Sequence, residues 1–267
     1  MRRVVAHVFV DDLASPVLGD KDVHHLSRVL RLRPGEAVSA SDGRGSMRLC
    51  QWAGTAALEP IAEARETGTG AGAGTGIVCE PRPSPVLTVA FALTKSEHPE
   101  WAVQKLTEAG VDHVVVMTTE RCVARWAPAS ESRHLQRLRE VARLAAMQSR
   151  RAWLPAVEGV AAFPEIVRAM GDAGVGGVGG VGGVGGVALA VPGGAPLTLA
   201  TPTVLIGPEG GWSDAELIAV PCHVGLGPHI LRAETAAVAA GVLLAALRSG
   251  LVAPGAGRHS GDTRSCS

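Results

Sequence analysis

Thr203-Val-Leu-Ile206 is an apolar, largely β-branched run that ends in Gly207-Pro-Glu-Gly-Gly211, and Ser213 with Glu216 three residues on opens a helix. No other feature constrains the fold as tightly. A buried strand, a glycine turn and a capping box in direct succession make half of a βα unit, and such units build parallel sheets covered by helices. The same alternation runs from residue 86 onward. Residues 86–93 read as a buried strand. Pro99 opens and Gly110 closes a helix with Trp101, Ala102, Leu106 and Ala109 on one face. Residues 111–117 form the next strand. Ser130 or Ser132 is placed to cap a helix reaching Met147, striped by Leu135, Leu138, Ala142 and Ala145. A strand at 222–226 and an apolar helix at 234–247 complete the pattern. The expected class is α/β with a parallel sheet.

The first part of the chain is patterned differently. Residues 4–10 read as a strand and 24–32 as a short helical stretch ending before Pro34-Gly35. Strand-like runs at 37–41, 46–52 and 56–62 are separated by Asp42-Gly43-Arg44-Gly45 and by Gly54, and Asp-Gly between such runs is a hairpin signal. The expected organisation is a β-rich module at 1–66, a Gly/Pro-rich linker at 67–85, the α/β domain at 86–250 and a disordered tail at 251–267. A Gly-Val repeat at 174–187 is read as an expanded loop.

Composition closes off several classes. With 46% hydrophobic and 19% charged residues, the 267-residue chain has the balance of a folded protein and not of a disordered one. Its longest nearly unbroken apolar run, 236–247, is well short of the about 20 residues a membrane span needs, and no signal peptide is read at the start. Five isolated cysteines (50, 79, 122, 222, 266) show no zinc spacing; no metal is expected, and reduced thiols in a cytoplasm are the default. Only three of the 25 basic residues are lysine, a bias in keeping with a GC-rich genome. The net charge of zero argues against a nucleic-acid partner only until it is resolved along the chain. Eight arginines between 121 and 151 face only Glu131 and Glu140, which fits either a solvated helix face or a phosphate-binding surface.

Four segments are placed to carry chemistry. Gly207-Pro-Glu-Gly-Gly211 offers free backbone N–H groups where α/β sheets bind ligands, although spacing alone fits a tight turn equally well. It lacks the lysine and serine of a phosphate loop. Gly225-Leu-Gly-Pro-His-Ile-Leu-Arg-Ala-Glu-Thr235 also joins a strand to a helix and bunches Arg232, Glu234 and Thr235. The arginine-rich stretch is the third. Thr94-Lys-Ser-Glu97, followed by Gln104, Lys105 and Glu108, is the fourth.

Together these segments resemble the RsmE-type ribosomal RNA uridine N3-methyltransferases of the SPOUT superfamily. The resemblance rests on His25-Leu-x-x-Val29-Leu-Arg31 with Gly35, Asp42-Gly-x-Gly45, Leu93-x-Lys95, Gln104-Lys105 with Glu108 and Gly110-Val111, and Thr119-Glu-Arg121. It continues through Gln148-Ser-x-Arg151 with Pro155, Ile206-Gly-Pro-Glu-Gly-Gly211 and Leu226-Gly-x-x-Ile230-Leu-Arg-x-Glu-Thr235. It implies an N-terminal PUA-like β-barrel, a SPOUT-type sheet with a trefoil knot, a homodimer, S-adenosylmethionine as cofactor and 16S ribosomal RNA or the small ribosomal subunit as partner. Gly207, Glu209, Gly210, Gly211, Leu226, Gly227, Ile230, Leu231 and Thr235 would hold the cofactor. Arg232, Glu234 and Glu209 would be catalytic, and Arg28, Arg31, Lys95, Arg121, Arg125 and Arg151 would contact RNA. Three positions depart from the family pattern: His7 stands where an arginine is usual, Met147 where an acid is usual, and Cys122 where a serine is usual. A ribose 2′-O-methyltransferase and a non-catalytic RNA-binding assembly factor are the alternative readings.

Overall fold

The computed structural model describes residues 3–61, 76–94, 98–172 and 186–253. The Gly-rich linker, the Gly-Val repeat, the tail and Lys95 lie largely or wholly outside the described residues. The first unit contains β1 (Val4–Phe9), α1 (Asp20–His24) running into a π-helical turn (His25–Val29), β2 (Ala37–Ser41), β3 (Ser46–Trp52), β4 (Leu58–Pro60) and β5 (Ile77–Cys79). β1 and β2 pair in parallel and the other ladders are antiparallel, in the order β1-β2-β3-β4, with β5 on β3. The Asp42 carboxylate accepts from the N–H groups of Arg44 and Ser46, which closes the expected hairpin. Alternate strand residues such as Val8, Val38, Ala40 and Cys50 meet Leu26 in one apolar core. β5 falls in the expected linker, so the first sheet recruits chain beyond residue 66.

The second unit is a six-stranded sheet, and every ladder in it is parallel. In chain order it holds β6 (Thr88–Ala92), α2 (His98–Ala109), β7 (His113–Thr118), α3 (Pro128–Gln148), β8 (Ala156–Ala162), α4 (Phe163–Asp172), β9 (Val187–Pro196), β10 (Thr203–Ile206), α5 (Asp214–Ala219), β11 (His223–Gly225) and α6 (Ala233–Arg248). The strand order is β11-β9-β10-β6-β7-β8. Val89, Phe91, Val114, Val116, Val204 and Ile206 face α2, α3 and α6, while Ala90, Val115, Met117 and Leu205 face Phe163, Ile166 and Trp212. Burial on both faces is why these strands read as continuous apolar runs. α6 lies unusually close to α2: a Cβ at Gly241 would stand 2.5 Å from Leu106 Cδ2.

Three local expectations change. α3 starts at Pro128 behind Ala127, not at Ser130 or Ser132, because proline has no N–H to satisfy and its φ already suits a first helical turn. Trp101 is 44% exposed, and α2 buries Ala102, Val103 and Leu106 instead. Strand β8 and helix α4 escape the pattern because Gly159 interrupts the first and the second is short.

The two units are bonded together. Arg143 grips both carboxylate oxygens of Asp22 at 2.9 and 2.5 Å, and Arg150 donates to the Val4 carbonyl at 2.8 Å. Residues 152–154 run against the Asp42 hairpin: Gly45 N–H donates to Ala152 O and Leu154 N–H to Gly43 O. A Cβ on Gly45 would stand 2.5 Å from the Trp153 ring, so only glycine fits there. Met147 is buried in the core of the first unit.

Candidate active site

Leaving β6, the chain adds β7 and β8 on one side, then returns to place β9 and β10 on the other. The order therefore reverses between β6 and β10, and in open parallel sheets ligands bind beyond the strand ends at such a reversal. The loops after β10 and β11 both open at this edge, as do the N-termini of α2 and α6.

The loop after β10 is braced from below. Trp212 donates its indole N–H to the Ala190 carbonyl within β9 and packs on Phe163. The Ser213–Glu216 capping box forms as expected, with both reciprocal bonds present. Buried Glu216 does more than cap: Oε2 accepts from Ser213 N–H at 2.8 Å and Oε1 from Glu120 N–H at 2.9 Å, tying this loop to the one after β7. Gly207 is half-buried against Trp212, and Gly210 lies against Arg121, whose guanidinium reaches the Gly210 carbonyl at 3.4 Å. Gly211 has φ +70° with open space where a Cβ would go. Glu209 is exposed at the tip.

In the loop after β11, Leu226 and Leu231 pack on the core from half-buried positions, Gly227 (φ +146°) faces open space, and Ile230 is 89% exposed. Arg232 ends the loop as the N-cap of α6 through its backbone alone; its exposed guanidinium has no partner among the described residues. Glu234 is buried in the first turn of α6, where the helix dipole favours a carboxylate, with Oε1 3.3 Å from His98 Nδ1. Thr235 is exposed beside it. The Thr94 and Thr119 hydroxyls, just past the ends of neighbouring β6 and β7, are buried without a hydrogen-bond partner among the described residues. Unpaired buried hydroxyls are costly, and they mark this edge as a place for a polar group.

The structure thus brings together the expected residues 207–211 and 226–235, and adds Trp212, His98, Thr94 and Thr119. Thr94 and Thr119 open motifs quoted above, whereas His98 carried no signal of its own; Glu216 was marked only by its capping box, which says nothing of the bond to Glu120. Open space at Gly211 and Gly227, with uncovered Ile230, fits a ligand that meets backbone on one side and an apolar side chain on the other.

The arginines divide. Arg28 and Arg31 are exposed on the first unit, Arg31 at φ +53°, and Arg121 and Arg125 are exposed beside the glycine loop. Arg151, expected to contact RNA, is instead an interior residue. Its side chain is 12% exposed, bonded to Asp112 and to the Thr107 and Val111 carbonyls, with Arg248 on the other Asp112 oxygen. A buried guanidinium is tolerable only when so paired. Arg137, Arg139, Arg143 and Arg150 likewise bond to protein groups, so much of the +6 segment is structural cement. His7 is buried too, between Ser39 Oγ and the Arg151 carbonyl. Burial pushes its pKa down to about 4, against the opposing pull of that carbonyl, so it is a neutral seam between the units and not an RNA-binding cation. Cys122 is buried with its thiol on the Leu93 carbonyl, a place a serine hydroxyl would fill equally well.

Comparison with known proteins agrees with this layout. Residues 81–245 match an RNA methyltransferase domain family and residues 18–51 an RNA methyltransferase PUA domain. A ribosomal RNA small subunit methyltransferase E from Mycobacterium bovis is 33% identical over 240 residues, covering 87% of this chain and 88% of that protein. The Bacillus subtilis protein of the same name is 26% identical, covering 81% and 84%. Among solved structures, a ribosomal RNA small subunit methyltransferase E from Neisseria gonorrhoeae bound to S-adenosyl methionine superposes with a TM-score of 0.69 at 23% identity, covering 91% of this chain and 97% of that one. A probable rRNA-methyltransferase from Porphyromonas gingivalis gives 0.69 at 24% identity, covering 93% and 100%.

Proposed function

The chain belongs to the ribosomal RNA small subunit methyltransferase E family, and on that premise we propose that it transfers a methyl group from S-adenosylmethionine to N3 of one uridine in 16S ribosomal RNA. The observation that carries this reading is the pair of glycine loops at the sheet reversal, open at Gly211 and Gly227, with the unpaired guanidinium of Arg232 beside them. Gly207, Glu209, Gly210, Gly211, Leu226, Gly227, Ile230, Leu231 and Thr235 hold the cofactor, the glycine backbone on its polar edge and the leucines and isoleucine on its flat faces. When bound, the cofactor supplies an activated methyl group, and what remains for the protein is alignment and charge.

Uridine N3 carries a proton and gains negative charge as the proton leaves, which spreads onto the flanking uracil oxygens. Arg232 is free to meet that charge. Glu234 or Glu209 draws the proton away, directly or through an intervening group. Arg28, Arg31, Lys95, Arg121 and Arg125 hold the RNA, and their grip weakens with salt. The outer face of α6, with Val242 and Leu243 exposed, and Leu251 just beyond its end, supports a homodimer. Insertion of β10 between β9 and β6 is the strand order in which a trefoil knot is threaded. A cytoplasmic site of action suits both the ribosomal substrate and the free thiols of the described cysteines.

Nucleoside mapping of 16S RNA from cells with and without the protein tests the reading: one N3-methyluridine disappears with it, and loss of a ribose methyl instead would overturn it. Arg232→Ala should lower turnover about a hundredfold while the cofactor Kd measured by calorimetry changes less than threefold. Equal losses in both would make Arg232 a structural residue.

A further inference from the structure

We infer that His98 is the general base of this site, with Glu234 behind it as the carboxylate that orients the ring; the assignment rests on the N3-uridine reading. α2 and α6 follow different strands of one parallel sheet and lie on the same face, so both helices begin at the ligand edge. The missing Cβ at Gly241 lets α6 settle against Leu106 of α2. Leu106 is eight residues beyond His98 and Gly241 seven beyond Glu234, so each first turn stands roughly 10–12 Å up its helix from that contact. The close approach thus sets His98 level with Glu234.

The result is a pair with unequal exposure. Glu234 is 11% exposed and His98 46% exposed at the side chain, and Nδ1 of the ring stands 3.3 Å from Glu234 Oε1. A buried carboxylate facing Nδ1 selects the tautomer with its proton there, which leaves the Nε2 lone pair for the open side of the cleft. The carboxylate itself is too enclosed to reach a nucleobase without giving up its partner. His98 is the reachable base.

In the proton step the N3–H bond breaks, the proton passes to the Nε2 lone pair, and the electron pair stays on N3, the atom that accepts the methyl. The imidazolium that forms is stabilised by the Glu234 carboxylate and then returns its proton to solvent. Glu234 is therefore a positioning residue and His98 a catalytic one. Arg232, at the N-cap of the helix that carries Glu234, meets the uracil oxygens without competing for the proton.

The test uses the full-length protein, S-adenosylmethionine and 16S RNA or small subunits lacking the modification. His98→Ala should slow single-turnover methylation about a hundredfold, the usual range for loss of a general base. Its cofactor Kd by calorimetry should stay within twofold of wild type, and added imidazole should restore activity about tenfold or more. His98→Asn, which fills the space without a base, should be equally slow and unrescued. Glu234→Gln should also be slow, and imidazole should not help because the His98 ring still occupies its place. Methylation by His98→Ala within threefold of wild type, or a slow His98→Ala that imidazole leaves unchanged, overturns the assignment. If the wild type methylates a ribose hydroxyl, the uridine reading fails by itself; imidazole-rescued loss of that activity in His98→Ala would still uphold the base.

Discussion

The loops after β10 and β11 share a glycine-rich composition and differ in how they are held. Gly207–Gly211 is locked by the Trp212 indole on Ala190, by the Ser213 capping box and by Glu216 bridging to Glu120. The stretch from Gly227 to Ile230 is exposed throughout, tied down only at its ends by half-buried Leu226 and Leu231. One loop has its shape before any ligand arrives. The other has apolar surface with nothing over it. Binding to a loop that is already ordered costs little conformational entropy, whereas a loop that orders on binding gives up part of its gain. The two loops divide the work between a fixed floor and an adaptable cover.

Glu216→Ala gives the largest expected effect and attacks the floor. It strands the Ser213 and Glu120 N–H groups in the interior, and at about 1–3 kcal/mol for each buried unpaired donor the fold should lose roughly 2–6 kcal/mol. Urea unfolding measures this directly. Glu216→Gln keeps one acceptor oxygen and should lose about half as much. A midpoint shift equivalent to under about 0.5 kcal/mol would mean that the first loop is no better braced than the second.

Gly211→Ala comes next. At φ +70° an alanine costs about 1–2 kcal/mol of backbone strain, and the new methyl enters the open space assigned to the cofactor. Stability should fall modestly while cofactor affinity falls at least about tenfold, the equivalent of 1.4 kcal/mol. A loss of stability without a loss of affinity would place the ligand elsewhere.

How much of this could be read beforehand depends on whether the physics was local. The strand, glycine turn and capping box around residues 203–216 are local, and β10 and α5 lie where the pattern puts them. β2 and β3 are equally local, because Asp42 builds its own turn. The fate of the arginines was not. Arg143 and Arg150 are spaced along a helix as solvated residues are, and nothing in that spacing reveals that Asp22 and the Val4 carbonyl wait in another unit. Arg151 sits in a family-like motif yet serves Asp112, which is 39 residues away in sequence. The His98–Glu234 pair was hidden for the same reason. It joins residues from two helices, and only the close packing at Gly241 brings them level.

Ile230→Ala is the smallest change and the most discriminating for the cover loop. The side chain is 89% exposed, so truncation removes almost nothing from the folded core and the unfolding midpoint should not move. If the cofactor covers this residue, truncation also removes apolar contact area from the complex. At about 25 cal/mol per Å² that is worth about 1 kcal/mol, or close to fivefold in Kd. Calorimetry of cofactor binding, run beside urea unfolding, separates the two. An unchanged Kd would leave Ile230 as bare surface and shift its role to the RNA. A shifted midpoint would mean that the loop after β11 is already packed down in the free protein. Either result would erase the contrast between the two loops, whereas a weaker Kd at constant stability is what a cover completed by its ligand requires.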